Sequence, residues 1–272
     1  VFSTLRNAWK IPELRKKLIF TLIVLLIYRL GSCVPVPYVN IDLLAETFRL
    51  RFADTVLGLY NAMSGSAFSQ ATVFALGIQP YINASIIIEL LTIAIPALER
   101  LAKEGGEEGR KKIKNITRYS TVGLGLLMGF AYFIMLKNYN LLNEGQTGFL
   151  YGLVIVLTFT AGASFLMWMG EQIDQFGIGN GISMILFAGI ISRIPTLITG
   201  LFSEKWYVAI LMVVGMLAIV MFIVFITNSE RRIPVQYAKR VVGRKMYGGQ
   251  STNLPIKVNM SGVMPIIFAQ SI

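Results

Sequence analysis

Glu171 and Asp174 stand three residues apart, which puts two carboxylates on one face of a helix, an arrangement that can serve general acid and base chemistry. They lie, however, where an apolar stretch gives way to a glycine-dense turn, and solvation at an interface accounts for them without any chemistry. Glu89 and Arg193 are different, because both fall inside apolar stretches where an ionisable side chain is costly. In an ion-coupled transporter they would be the coupling pair. A structural ion pair, or charges facing a wet cavity, is the simpler reading, since two charges provide no relay across a bilayer. Gly177-x-Gly179-x-Gly181 has the composition of a phosphate cradle, but no strand precedes it and no Gly-Lys-Ser/Thr follows, so it reads as a tight turn. The chain has no histidine and one cysteine, Cys33, which removes the commonest general base, the commonest metal ligand and an internal disulfide. No enzymatic centre, metal site or cofactor is expected. An intramembrane hydrolase would need a nucleophile and base pair that the sequence does not offer.

The elements that would carry these residues are membrane helices. Hydrophobic residues make up 55% of the 272 and charged residues 14%, with a mean hydropathy of +0.65; an ordinary globular domain is roughly half apolar and a quarter charged. Six stretches, near 18–36, 77–98, 117–137, 149–170, 181–201 and 206–227, supply the roughly 20 apolar residues that cross a hydrocarbon layer about 30 Å thick. A seventh opens at Met260-Ser261-Gly262-Val263-Met264-Pro265-Ile266-Ile267-Phe268 and stops at Ile272, so the sequence is expected to be the first part of a longer protein. The net charge of +11 is sorted by side. With Arg118 and Lys137 counted to the loops they border, nineteen lysines and arginines fall in 1–17, 99–116 and 228–259, and four in the segments between. The positive-inside rule places the rich set in the cytoplasm, with the base-free turn 171–180 beside it.

Residues 1–17 set Phe2, Leu5, Trp9 and Leu14 among Arg6, Lys10, Arg15, Lys16 and Lys17 and read as an amphipathic helix in the cytoplasmic interface. No cleavable signal peptide is expected, because no small-residue cleavage site follows the first apolar stretch. Residues 55–70 are too polar and glycine-rich to face lipid and too apolar for a loop in water. Composition leaves two placements open: a short re-entrant helix buried among others at membrane depth, where irregular backbone is tolerated, or a helix lying on the outer surface. In the second span Asn83, Ser85, Glu89 and Thr92 require that one face look into protein or water. Gly125 and Gly129 in the third suit close helix packing. In 228–259, Arg232-Ile233-Pro234-Val235-Gln236-Tyr237-Ala238-Lys239 roughly alternates, and Gly243 and Gly248-Gly249 supply turn residues, which predicts a protruding extended hairpin. Its bases suit anionic lipid or the phosphates of RNA.

Phe74-Ala75-Leu76-Gly77-Ile78-Gln79-Pro80-Tyr81-Ile82, Gly170-Glu171-Gln172 with Gly177-Ile178-Gly179-Asn180-Gly181-Ile182-Ser183, Tyr237-Ala238-Lys239-Arg240, and Gln250-Ser251-Thr252-Asn253-Leu254-Pro255-Ile256-Lys257-Val258-Asn259-Met260 closely resemble the bacterial SecY family, in the family's order. The resemblance implies an all-α polytopic membrane fold of ten helices in two inverted halves, here truncated to six spans and the start of a seventh. Residues 18–201 would form the first five-span half and 202–272 the start of the second. It also implies a protein-conducting channel that passes unfolded preproteins across the membrane and releases apolar segments sideways into lipid, with no catalysis of its own. The family's constriction maps onto Ile78, Ile82, Ile182, Leu186 and Ile267, a collar of aliphatic side chains that would dewet and block ions; Leu186 stands where the family more often has isoleucine. The plug maps onto 55–70, including Leu59, Tyr60, Asn61, Ala62, Met63, Ser64 and Gly65, a helix expected to be held by shallow packing. The lateral gate maps onto Asn83, Ile86, Ile87 and Thr92 of the second span and onto the seventh span. Lys239, Arg240, Arg244 and Lys245 map onto the loop that docks ribosomal RNA and the motor ATPase SecA. Small subunits SecE and SecG, and a bacterial cytoplasmic (inner) membrane with the N-terminus in the cytoplasm, belong to the same expectation. A secondary transporter built on Glu89 and Arg193 is the alternative.

Overall fold

The computed structural model describes Trp9 and residues 11–143, 145, 148–203, 206–235, 240–242, 245–247 and 252–259. Helix α1 (Pro12–Gly31) opens with proline in its first turn, where the missing N–H costs nothing, and carries Glu13 in the first turn and Arg29 in the last, the signs that suit its dipole. Arg15, Lys16 and Lys17 thus belong to the helix of the first span, which begins at 12 and not at 18. It also ends early, at Gly31, where a Cβ would fall 2.1 Å from the Phe74 ring. The connection after α1 then folds back through α2 (Ile41–Thr47), capped by Asn40, whose Oδ1 accepts the Leu43 N–H at 3.1 Å, and one turn of π-helix at Phe48–Phe52.

After α3 (Val56–Met63) and a run of turns, α4 (Gln79–Ala94) and α5 (Pro96–Lys103) follow. The stretch read as one span over 77–98 is therefore broken. Pro96 keeps Ile95 extended (φ −108°, ψ 112°), and the two helices meet at a 101° bend. On α5 the Glu99 carboxylate, 2.6 Å from Lys103, raises that ammonium's pKa by hydrogen bond and charge, but the pair is exposed and adds little to stability. Helices α6 (Gly106–Asn138), α7 (Phe149–Phe176) and α8 (Gly181–Ile191) complete the main unit, with a break at Ser192-Arg193 before α9 (Ile194–Ser203). Among the described residues Gly106–Asn138, Phe149–Phe176, Gly181–Gly200 and Tyr207–Asn228 are long and apolar enough to cross a membrane, and the bent pair makes a possible fifth. Helix α1, with bases in its first turns and Arg29 near its end, has a shorter uninterrupted apolar run.

The chain divides into two units, Val1–Thr196 and Leu197–Ile272. Two apolar clusters hold the first together. In one, aromatic rings form a chain from the connection after α1 into the helices: Phe48 to Phe68 at 5.8 Å, Phe68 to Tyr132 of α6 at 4.6 Å, and Tyr132 to Phe159 of α7 at 4.8 Å. The other gathers Val24, Tyr28, Phe74, Ile78, Leu166 and Ile185 from α1, the turns leading into α4, α7 and α8. The second unit contains α10 (Trp206–Asn228), apolar on every side, as a lipid-facing helix must be. Its loop departs from the all-α plan: β1 (Glu230–Val235) pairs antiparallel with β4 (Thr252–Lys257), and β2 (Arg240–Val242) with β3 (Lys245–Tyr247). Pro234 and Pro255 are tolerated because each two-stranded ladder has a free side.

Phe159→Ala, at a fully buried position, should cost about 3–5 kcal/mol, whereas Phe130→Ala on the exposed side of α6 should stay within about 0.5 kcal/mol. Thermal melting in detergent would check the contrast.

Candidate functional site

Ile78 forms the N-cap of α4 and is 2% exposed, with Ile82 one turn on; Ile182 lies in the first turn of α8, with Leu186 one turn on. All four fall in the same apolar cluster, so the structure brings together four of the five collar residues. Ile267 lies outside the described residues. Close backbone approach makes this possible: a Cβ on Gly181 would sit 2.0 Å from the Gly170 carbonyl oxygen, and one on Gly170 would lie 3.6 Å from Ile78 Cδ1. Tyr28, Met63, Gln79 and Ile185 join Ile78 and Leu186 around a cavity of about 10 Å³, scarcely room for one water. Ile185 is as deeply buried as Ile78, and nothing in the local sequence separated it from its neighbours.

Above this contact lies the 55–70 segment. It packs among the helices of the first unit, with Asn61, Ser64, Gly65, Ala67 and Phe68 buried. Asn61 Oδ1 accepts the Ser69 N–H at 2.9 Å; Ser64 Oγ donates to the Asn61 carbonyl at 3.1 Å and accepts the Phe68 N–H at 3.3 Å. The Tyr60 hydroxyl donates to the Leu76 carbonyl, and the Tyr132 hydroxyl, from α6, to the Phe68 carbonyl at 2.7 Å. Gly65, at φ 66°, has no room for a side chain, because a Cβ there would lie 2.8 Å from the Gly189 carbonyl oxygen of α8. Ala62 and Met63 are half-buried, and Leu59 lies within α3. The two ends of the segment are open, with Val56 75% exposed and Gln70 exposed. The polar residues that made this stretch look odd are the ones that bind its turns together.

Helix α4 packs Ile86 and Ile88 inward, at 5% exposure each, and leaves Ile87, Leu90 and Ile93 exposed, with Asn83 and Thr92 half-buried. Ile86 therefore does not share a face with Ile87, and Leu90 and Ile93 take its place on the open side. Helical spacing alone allowed either face, because isoleucine occupies 86, 87 and 88 alike. Glu89 is exposed on α4, Arg193 half-buried after α8, and no ion pair joins them among the described residues.

A profile of the SecY family matches residues 72–272. The chain belongs to the SecY family. It is 46% identical to the protein translocase subunit SecY of Pseudomonas aeruginosa over 268 residues, covering 96% of this chain and 60% of that protein. The SecY subunit of Thermotoga maritima is 40% identical, with 100% and 65% covered, and that of Escherichia coli 42%, with 96% and 60%. The chain thus spans about 60% of the length of these relatives. Among solved structures, a protein-conducting channel and Sec61 in a canine ribosome–channel complex each superpose with a TM-score of 0.61 at 18% identity, covering 94% of this chain and 56% of theirs. The fold is that of the SecY channels, a multi-pass membrane fold.

Within this SecY chain, Glu171 departs from its expected role. It is 4% exposed and not solvated: Arg118 Nε meets Oε1 at 3.0 Å, Arg118 Nη2 bonds Oε2, and Lys114 Nζ lies 3.5 Å from Oε1. A carboxylate this deep persists only with such partners. Asp174 Oδ1 accepts the Gly181 N–H at 2.7 Å. Of the loop residues assigned to partners, Arg240 and Lys245 lie in β2 and β3, while Lys239 and Arg244 fall outside the described residues.

Tyr132→Phe removes the donor to a buried carbonyl and should destabilise the docked 55–70 segment by about 1–3 kcal/mol. The expected readout is faster amide hydrogen exchange at 61–69, with α7 unchanged.

Proposed function

We propose that this chain forms the pore-lining first part of a protein-conducting channel, in which Ile78, Ile82, Ile182 and Leu186 contribute part of an aliphatic collar closed from the outer side by residues 55–70. The observation that carries the reading is that Ile78 and Leu186 line one cavity of about 10 Å³ together with Tyr60, Met63 and Ser64 of the docked segment, while Ile82 and Ile182 pack against the same apolar cluster. A constriction of branched aliphatics excludes water and so raises the barrier to ions, yet offers a threaded chain no specific bond that would hold it. Ile267, in the seventh span, would add to the same ring. Unfolded preproteins are the cargo, entering from the cytoplasm. An apolar signal segment would leave sideways along the open face of α4, past Asn83, Ile87, Leu90 and Thr92, where polar side chains weaken the seam with a neighbouring helix.

The role of translocase subunit in the named relatives supports this reading, as does the ribosome-bound channel among the structural neighbours. The 228–259 loop, with Lys239, Arg240, Arg244 and Lys245, would dock ribosomal RNA and the ATPase SecA by charge. SecE and SecG would complete the complex in the bacterial cytoplasmic membrane, with the N-terminus and the basic segments inside. Nucleotide hydrolysis would belong to the partners.

Two measurements test the reading on the complete protein. Replacing Ile78 and Ile82 with serine should wet the collar and raise resting ion conductance about tenfold; a channel as tight as wild type would remove the collar assignment. Reversing the charge of Arg244 and Lys245 should lower ribosome affinity most at low salt. An affinity that does not change across a salt titration would remove the docking assignment.

A further inference from the structure

The buried carboxylate at 171 has no part in a collar of aliphatic side chains, and its surroundings explain why it is there. Arg118 and Lys114 stand one turn apart on α6 and both reach it, so one anion is pinned by two cations. Asn115 Oδ1 accepts from Arg118 Nη1 at 3.2 Å and fixes the guanidinium further. The last turn and a half of α7 is thereby fastened to α6. One turn on, Asp174 holds the Gly181 N–H at 2.7 Å, and Gly181 rests directly on the Gly170 carbonyl. Thr21 of α1 accepts the Ile178 N–H at 3.1 Å in the intervening turn. Gly181 is the first residue of α8, and Ile182 of the collar is the next. Besides its own Asn180 cap, the start of α8 is thus held by Asp174 and Gly170, which lie within three residues of Glu171, while Thr21 ties the intervening turn to α1.

We propose that Arg118 and Glu171, acting through Asp174, are positioning residues that brace α8 so that Ile182 and Leu186 meet Ile78 and Ile82 in the shut state. The assignment rests on the channel reading. If the end of α7 shifts on α6, Gly181 moves with Asp174, and Ile182 and Leu186 move away from Ile78 and Ile82. The pair thus sets the balance between shut and open, and does so from outside the pore lining.

The test uses the full-length protein in its assembled complex, reconstituted in lipid vesicles, with resting ion conductance per channel and preprotein transport measured on the same preparation. Glu171→Gln, nearly isosteric, and Arg118→Lys, which keeps the charge but loses the fork, should each raise resting conductance about tenfold while transport is kept, the size expected for one coupled contact. Exchanging the two residues, Arg118→Glu with Glu171→Arg, should return conductance towards wild type. Variants as tight per channel as wild type overturn the assignment, whether or not less protein reaches the membrane, because a merely structural pair would alter abundance and melting but not the leak of the channels that assemble. An exchange that leaks as much as the single variants overturns it too. A wild-type complex that passes no preprotein would instead remove the channel reading on which the assignment stands.

Discussion

Backbone that is neither helix nor sheet must find partners for its N–H and C=O groups where it is buried, and the 64–78 run is tied down by protein at many of them. The Val36 N–H bonds the Ala71 carbonyl and the Val73 N–H bonds the Val34 carbonyl, both at 2.9 Å, so the stretch after α1 acts as a short partner strand. Tyrosine hydroxyls take the carbonyls of Phe68 and Leu76, and the Asn61 side chain takes the Ser69 N–H. Ser66 (φ 73°) and Ala71 (φ 42°) are held in left-handed conformations that cost energy without a glycine, which only a surrounding structure of this density sustains. The direction in which Ile78 enters α4, and so the whole collar, depends on this run being fixed.

Close approach is the means by which neighbouring helices reach it. Gly162 of α7 leaves room for the Val73 carbonyl, and Gly189 of α8 for that of Met63. Larger side chains at either place would push the segment off the helices and leave its carbonyls facing an apolar gap. The glycines of α7 and α8 are thus less about helix flexibility than about letting backbone touch backbone.

The apolar stretches were legible because composition alone demands membrane helices, and the order of motifs identified the family. Boundaries were less so. Pro12 and Gly31 move the first helix towards the N-terminus, and Pro96 breaks the second span, an outcome a hydropathy window averages away. Glu171 was misread because its partner Arg118 lies 53 residues distant, and no local spacing reveals a contact across two helices. The faces of α4 were equally hidden: three consecutive isoleucines give no clue as to which looks inward, and packing against α6 decides it. The collar positions came from family likeness, since periodicity selects nothing in so isoleucine-rich a chain. In the 228–259 loop the pairing was foreseeable from alternation, but two-stranded ladders have little stability of their own in water, and exposed Ile233 and Leu254 suit a loop that is steadied by what it touches.

The bend at Ile95 and Pro96 has a mechanical corollary. Sixteen residues of α4 rise only about 24 Å, short of a hydrocarbon layer of about 30 Å, so a crossing here would be a composite of a stubby rod and the turns stacked on its N-terminal end. Gly77, at φ 56°, is the joint between them. Depth that a longer rod would supply comes here from backbone bonded to its own protein, so acyl chains would meet only a short helix along this stretch.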